Sequence, residues 1–480
     1  MLGLFSTLGM AARSLQAEMT GVEVAGQNLS NVNTPGYSRQ TVQITSSPEV
    51  DTPIGPEGTG ADATSIQQAV DTILNGQIQS QNSTSGYWNA QQSSLQNAQN
   101  ALGEFLSGSS TSSTTSASSA SSTGTTGTGL SSQLNSFFTA FSALASSNSY
   151  ANQQAAVTSA QSLATTFNNL STSFGQVNTA LNQSLTQNVS SANQLLTNIA
   201  SLNQEISTAE FSSGNPNDLL DKREQDLENL SQLTNISTSA GTGGTVNVTI
   251  GGQTLVSGDT VSDTLQTYDP GNGNLLVQTA TGGVNLTLTG GSMQGTIDAR
   301  DGTLATLQSN VNSLASTLIT QVNNVQNSGY NSTGGTGNTF FTGTNATTMG
   351  VNSTLTGNPS LIQISASPTA GDDTSLALQI SQLATTAQSG LNNQTFNDSY
   401  DASVASLGDG LSDANNQVTD QTAVSNMLST QRSSISGVSV DEEMTNLMTY
   451  QQAYQASAQL VSTLNTMLTD TIGMVSATGA

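Results

Sequence analysis

The chain has 480 residues, enough for two to four domains, and a net charge of -25 from 31 acidic and 6 basic residues. That balance excludes a phosphate-tracking surface, so nucleic acid is not an expected partner. The absence of Cys and His removes disulfide scaffolds, zinc sites built on those ligands, and His- or Cys-based catalysis. With 8% of residues charged and 34% hydrophobic, the surface must be made largely of Ser, Thr, Asn and Gln. No apolar run approaches the ~20 residues of a membrane span, and Leu2 to Leu15 lacks the basic start of a secretory signal. Neither a membrane nor a cofactor is expected.

In chain order, the first predicted helix runs from about Leu4 to Asn31. Leu8, Leu15, Val22 and Leu29 stand seven apart, and Leu4, Ala11, Ala25 and Val32 form an interleaved row that Glu18 interrupts. Asn33-Thr34-Pro35-Gly36 stops the helix, and Tyr37 to Ile44 reads as an extended segment. Residues 46–60, rich in Pro and Gly, read as an irregular loop, and helix is predicted again from Ala61 to Phe105. Ser107 to Gly129 holds only Ser, Thr, Ala and Gly, and is expected to be a flexible exposed loop with glycosylation as an alternative use.

Leu130 to Ile206 is helical in pattern, with Phe137, Phe138, Phe141 and Leu144 on one face and Phe167, Leu170 and Phe174 on another. Asn215 to Asp218 reads as a turn and N-cap before an amphipathic helix, on which Lys222 and Arg223 are expected to pair locally with Asp218, Asp221 and Glu224. Residues 240–292 alternate in polarity around Gly251-Gly252 and predict a small antiparallel β module. Helix returns after Met293, gives way to irregular structure over 344–375, and dominates again from about Leu376 to Ser434.

The chain closes on its longest seam. Val440, Leu447, Tyr454, Val461, Leu468 and Val475 recur every seventh residue, with Met444, Ala458 and Ile472 between them. Asp441, Glu442 and Glu443 occupy the first turn, where the helix dipole favours negative charge. A helix of this length spans roughly 55 Å and needs a long partner. The N-terminal helix supplies one, so an antiparallel terminal pair is predicted.

Several segments carry a family resemblance. GQNLSNVNTPGYSRQ (Gly26 to Gln40) is similar to the N-terminal motif of bacterial flagellar axial proteins, with Asn28, Asn31, Asn33, Pro35, Gly36 and Tyr37 as its core. The continuation Tyr37-Ser38-Arg39-Gln40 resembles the hook-associated protein 1 family, as do the segments Gly214 to Leu233 and Gly251 to Gly258. SGVSVDEEMTNLMTYQQAYQASAQLV (Ser436 to Val461) is the most specific match, through Ser436, Gly437, Asp441, Glu442 and Glu443. The resemblance implies a structural adaptor that self-assembles into a helical ring, with hook protein on one side and a second junction protein or the filament on the other. It also implies export by the flagellar type III route without a cleaved signal, and an export chaperone on the C-terminal helix.

The expected fold is mainly α with a β-rich inserted domain, elongated, its terminal helices paired like a coiled coil. Residues 1–45 with 430–480 form the expected terminal domain, 46–239 with 293–429 a helical rod, and 240–292 the β insertion. The subunit interface is assigned to Leu8, Leu15, Val22, Leu29, Val440, Leu447, Tyr454, Val461 and Leu468, whose seams are expected to stay loosely ordered until neighbouring copies cover them. Another axial protein or a surface adhesin remains open as an alternative. A hydrolase using Asp372, Asp373 and Glu443 is disfavoured, because adjacent carboxylates do not set a catalytic separation.

Overall fold

The computed structural model describes residues 3–52, 55–102, 129–212, 215–369 and 373–478. The predicted Ser/Thr loop, save its last residue, and Asp372 lie outside them. Helix α1 (Leu4–Ser30) leads through a turn into a β ribbon in which β1 (Gln40–Ser46) pairs antiparallel with β4 (Ala61–Gln68), while β2 (Val50–Thr52) and β3 (Gly55–Glu57) form a short outer hairpin. Two expectations are corrected here. Residues 61–68 are strand, not helix, because their backbone pairs along its length with β1, a partner distant in sequence; and residues 46–60 contain an ordered hairpin.

The body is helical. α2 (Thr72–Leu102), α3 (Leu130–Ser146), α4 (Tyr150–Phe211) and α5 (Asn217–Leu233) precede the β module. α4 runs 62 residues, roughly 93 Å, as one helix. It starts at Ser149, whose side chain accepts from the Asn152 N–H. A single buried stripe from Ala156 to Ile206 makes it the spine of two cores. Along its exposed side Thr165, Thr172, Thr179 and Thr186 each donate the hydroxyl to the carbonyl four residues back. Those hydroxyls are thereby satisfied on the helix surface without a charged partner.

The first core packs the first half of α4 against α3, the later helices and a cluster of Phe rings. Phe137, Phe141, Phe340 and Phe341 meet at centroid distances of 4.9–6.2 Å. The second core packs the C-terminal half of α4 and α5 against the β module. That module is a four-stranded antiparallel meander of β5 (Ile236–Ala240), β6 (Val246–Ile250), β7 (Gln253–Ser257) and β8 (Thr260–Val261), followed by the hairpin of β9 (Leu265–Tyr268) and β10 (Leu276–Thr279). Gly251 and Gly252 turn between β6 and β7 at φ 55° and 83°, where a side chain would be strained.

α6 (Gly291–Asp298) widens into a π-helical segment, Ala299–Leu304, before α7 (Ala305–Asn327). The π segment carries Arg300, which is fully buried: its Nη1 donates to Asn182 Oδ1 at 2.6 Å and to the Leu275 carbonyl at 2.7 Å, and its Nε pairs with Asp301. Residues 341–382 hold the minimal ribbon of β11 (Phe341–Thr342) and β12 (Gly350–Val351), the short α8 (Ser353–Gly357) and α9 (Ser375–Gln382). α10 (Phe396–Ser436) starts at Thr395, which accepts from the Asp398 N–H, and a break at residues 437–439 separates it from α11 (Val440–Thr478).

One device recurs. Asn28, Asn193, Asn203 and Asn323, all on helices, each clamp one residue of an extended segment by both its backbone groups: Gln40, Leu265, Val246 and Phe341 respectively. A side-chain amide offers one acceptor and a donor pair in the same geometry as a peptide, so it completes the edge of a strand end opposite its paired strand.

Candidate assembly interface

α1 and α11 run antiparallel, and each step of seven along one meets a step of seven back along the other. The hydroxyls of Ser14 and Ser457 are 3.2 Å apart and hydrogen-bonded. Gly21 faces Tyr450, and a Cβ there would stand 2.6 Å from Tyr450 Cδ1. Asn28 and Glu443, buried to 1% and 4%, hold the third position. Leu464 is the buried residue one heptad beyond Ser457. α1 turns small residues inward, burying Ala11, Ala17, Gly21, Val24 and Ala25.

This contact line is displaced around both helices from the apolar rows read in the sequence. Leu8, Leu15, Val22 and Leu29 are half-buried on α1, as are Leu447, Val461 and Leu468 on α11. Val440 and Tyr454, each 41% exposed, face outward. Met444, Met448, Leu460, Met467, Ile472 and Met474 are exposed too, as are Phe5 and Met19 on α1. The pair therefore closes largely on small and polar residues, with Val24, Tyr450 and Leu464 among them, and leaves several larger apolar side chains uncovered.

The motif that follows α1 is a polar joint. Asn28 Nδ2 donates to the Gln40 carbonyl at 2.8 Å, and its Oδ1 accepts from Gln40 N–H and from the Tyr37 hydroxyl, both at 2.9 Å. Asn31 ends the helix, donating to the Gln27 carbonyl and accepting from the Thr34 hydroxyl. Asn33 and Pro35 are exposed, and Gly36 takes φ +79°. Ser38 N–H donates to Asp221 Oδ2 at 3.0 Å. Arg39 donates its N–H to the Ser436 carbonyl at 2.8 Å and pairs with Glu442 at 3.0 Å. Gly437 ends α10 with its N–H on the Ser433 carbonyl, a contact too close for any Cβ.

Carboxylates collect around this joint. Burial, then Asp218, Asp221 and Glu443, push the Tyr37 phenol above its ordinary range. Burial, then Glu18 and Glu443, do the same to Tyr450. Burial also raises the Asp221 carboxyl. Asp441 and Glu442 are exposed in the first turn of α11.

Comparison with known proteins settles what this architecture belongs to. Residues 116–341 match the family model "Flagellar hook-associated protein FlgK helical domain", and residues 429–474 match "Flagellar basal body rod FlgEFG protein C-terminal". Flagellar hook-associated protein 1 of Escherichia coli (strain K12) is 23% identical, with 96% of this chain and 98% of the relative covered; that of Bacillus subtilis (strain 168) is 25% identical, with 98% of each covered. Along nearly its whole length the chain is similar to flagellar hook-associated protein 1. A solved structure described as the flagellar hook junction protein FlgK from Burkholderia pseudomallei shares the fold, at a TM-score of 0.61 and 16% identity over 75% of this chain and 100% of that one.

A hook-associated protein 1 family member is a structural protein of the flagellum, not an enzyme. The carboxylates considered for chemistry have other work. Asp373 accepts from the N–H groups of Ser375 and Ala366 and from the Ser365 hydroxyl, which holds it at about 2. Among the described residues no group of acidic side chains is placed to hold a metal ion, and no helix is long and apolar enough to cross a membrane.

The expected pairing of Arg223 on a solvated face of α5 is corrected. Arg223 turns inward, donating to Asn203 Oδ1 at 2.9 Å and to the Gly244 carbonyl at 2.6 Å, because a guanidinium reaches across to the β module where an interior acceptor waits. Asp218 and Asp221 instead receive Gln40 Nε2 and Ser38 N–H from the motif. Sequence reasoning missed this partnership, and missed Gly21, whose one signal was a helix-interior glycine in a row of small residues.

Proposed function

We propose that this chain is a structural adaptor at the hook–filament junction of the bacterial flagellum, polymerising through the outward faces of α1 and α11. The observation that carries the reading is the set of large apolar side chains left uncovered on that pair: Val440, Met444, Met448, Tyr454 and Met467 on α11, with Phe5 and Met19 on α1. Fully burying one such side chain contributes about 1.5–3 kcal/mol, so a few of them supply a stable contact. The unbranched Met side chains adapt to unlike neighbours, which suits a piece that meets two different polymers. The exposed faces of α1 and α11 are not the same surface, so their contact repeats head to tail and builds a helical ring.

On this reading the hook protein lies on one side and the second junction protein or the filament on the other. The α1–α11 pair, closed on alanine, glycine and serine, is weak alone and is consolidated by neighbouring copies. An export chaperone covers the same α11 face before passage, unfolded and without a cleaved signal, through the flagellar type III route. Electron microscopy of cells lacking the protein tests this: hooks without filaments are expected, and truncations of residues 1–30 or 445–480 should fail to restore filaments. Normal flagella in either strain would overturn the reading.

A further inference from the structure

Among the described residues, α1, the β1–β4 ribbon and α11 form an arm that shares none of the buried apolar clusters of the body. The apolar contact that comes nearest to the arm is a small satellite cluster of Leu74, Ile78 and Leu428 with Ile435 packed against it, all on the body side of the crossing. The chain crosses between arm and body after β4 and at the break between α10 and α11, and both crossings meet at Arg39. Its N–H donates to the Ser436 carbonyl and its carbonyl accepts from the Ala69 N–H, each at 2.8 Å, while its guanidinium holds Glu442 at the start of α11.

To one side of this knot the first turn of α5 reaches the arm through polar bonds. Asp221 accepts from Ser38 N–H at 3.0 Å and Asp218 from Gln40 Nε2 at 3.1 Å. The Asn217 carbonyl accepts from Gln68 Nε2 at 2.7 Å, and Asn217 Nδ2 donates to the Ile66 carbonyl at 3.2 Å. Two clefts flank the α5 contact. One, of about 810 Å³, lies between the motif turn and α10, lined by Gly36, Tyr37, Glu228 and Arg432. The other, of about 790 Å³, lies between α1 and the end of α4, lined by Arg13, Thr20, Glu210 and Pro216.

Units that share an apolar core are fixed to one another; units that meet at a polar patch beside open space move as bodies about the few residues that join them. We propose that the arm is hinged at Arg39 and latched by Asn217, Asp218 and Asp221, so that the α5 turn, not a shared core, sets the arm's orientation. With the latch bonds broken the arm swings toward the clefts while arm and body each stay folded. This holds whether or not the arm is the polymerisation surface.

The chain has no Cys, so spin labels go only where cysteines are introduced. One pair, Gln43→Cys with Gln204→Cys, spans arm and body; another, Gln16→Cys with Gln455→Cys, lies within the arm. Double electron–electron resonance on the full chain is expected to give one narrow distance for each pair. In Asn217→Ala/Asp218→Ala/Asp221→Ala the arm–body distribution should at least double in width or split, with the intra-arm distance unchanged. An unchanged arm–body distribution overturns the proposal, and so does a broad one in the unsubstituted chain. Should the triple variant lose its intra-arm distance, Asp218→Ala and Asp221→Ala singly decide on the same two readouts.

Discussion

Tyr450 packs against the backbone of α1 at Gly21, so closely that a Cβ on Gly21 would lie 2.6–2.8 Å from three atoms of its ring. Gly21→Ala gains about 1 kcal/mol of helix propensity, but overpacking at a closed contact costs about 1–3 kcal/mol. The pair is expected to loosen on balance, and Gly21→Leu to open it outright. Hydrogen exchange over residues 8–30 measures this: amides in the Gly21→Leu chain should exchange at least tenfold faster. Adding Tyr450→Ala should recover part of the loss, since the two residues act through one contact.

This contact also marks how far the sequence could be read. Period-seven rows at both termini were enough to predict an antiparallel pair, and α1 and α11 do pair. The face was legible only in part: Ala11 and Ala25 of the interleaved row are buried, but hydropathy weights Leu, Val and Met, whereas the closest approach of the two helices is set also by Gly21 and Ser14, which score poorly. Residues 61–68 were misread for a related reason: Ser and Gln carry little apolar periodicity, and their pairing with β1 is a long-range fact. The Phe137, Phe138 and Phe141 face and the β module were visible because each depends on local pattern, whereas the arrival of Phe340 and Phe341 on that face is a long-range fact. Arg300 gave no signal, since its acceptors come from 118 positions away on α4 and from Leu275.

Asn28 completes both backbone groups of Gln40 from a nearly fully buried position. Asn28→Ala should destabilise the chain by about 1–3 kcal/mol, because the Gln40 N–H and C=O lose their partner without gaining water. Asn28→Asp keeps an acceptor for Gln40 N–H and the Tyr37 hydroxyl but loses the donor and buries a charge, so it should be no milder. Urea unfolding gives the loss, and the exchange rate of the Gln40 amide locates it. An Asn28→Ala chain as stable as its parent would mean that the clamp is ornamental.

Two carboxylates respond to pH with opposite sign. Burial raises Asp221 above its ordinary value, so its contribution is fully present below the unfolded carboxylate pKa of about 3.9 and is lost as pH rises through the folded value. Asp221→Asn keeps an acceptor for Ser38 N–H and removes the penalty on the charge; its urea midpoint should exceed the parent's at pH 7 and converge with it at acid pH. Asp373, drawn down to about 2 by the Ser375 and Ala366 N–H groups, contributes stability above the unfolded value that is lost as pH falls through 2. Asp373→Asn should lower the midpoint at pH 7, and the difference should shrink as the pH falls toward 2 and vanish below it.

The last prediction separates the two faces of α11. Met444, Met448 and Tyr454 are exposed, whereas Tyr450 and Leu464 lie on the line that meets α1. Met444→Glu with Met448→Glu and Tyr454→Ser changes side chains that make little contact within the monomer, so far-UV circular dichroism and the urea midpoint should stay within about 0.5 kcal/mol of the parent, as for other surface changes. The same chain should fail to restore filaments in cells lacking the protein, because each Glu would have to be buried, unpaired, against the next copy. Leu464→Asp should do the reverse in order: it breaks the monomer's own helix pair first, seen as rapid proteolysis of the terminal helices, and loses assembly as a consequence. If the outward-face variant assembled normally while the Leu464 variant did not, the apolar surface of α11 would be idle, and α1 alone would have to carry the contact between copies.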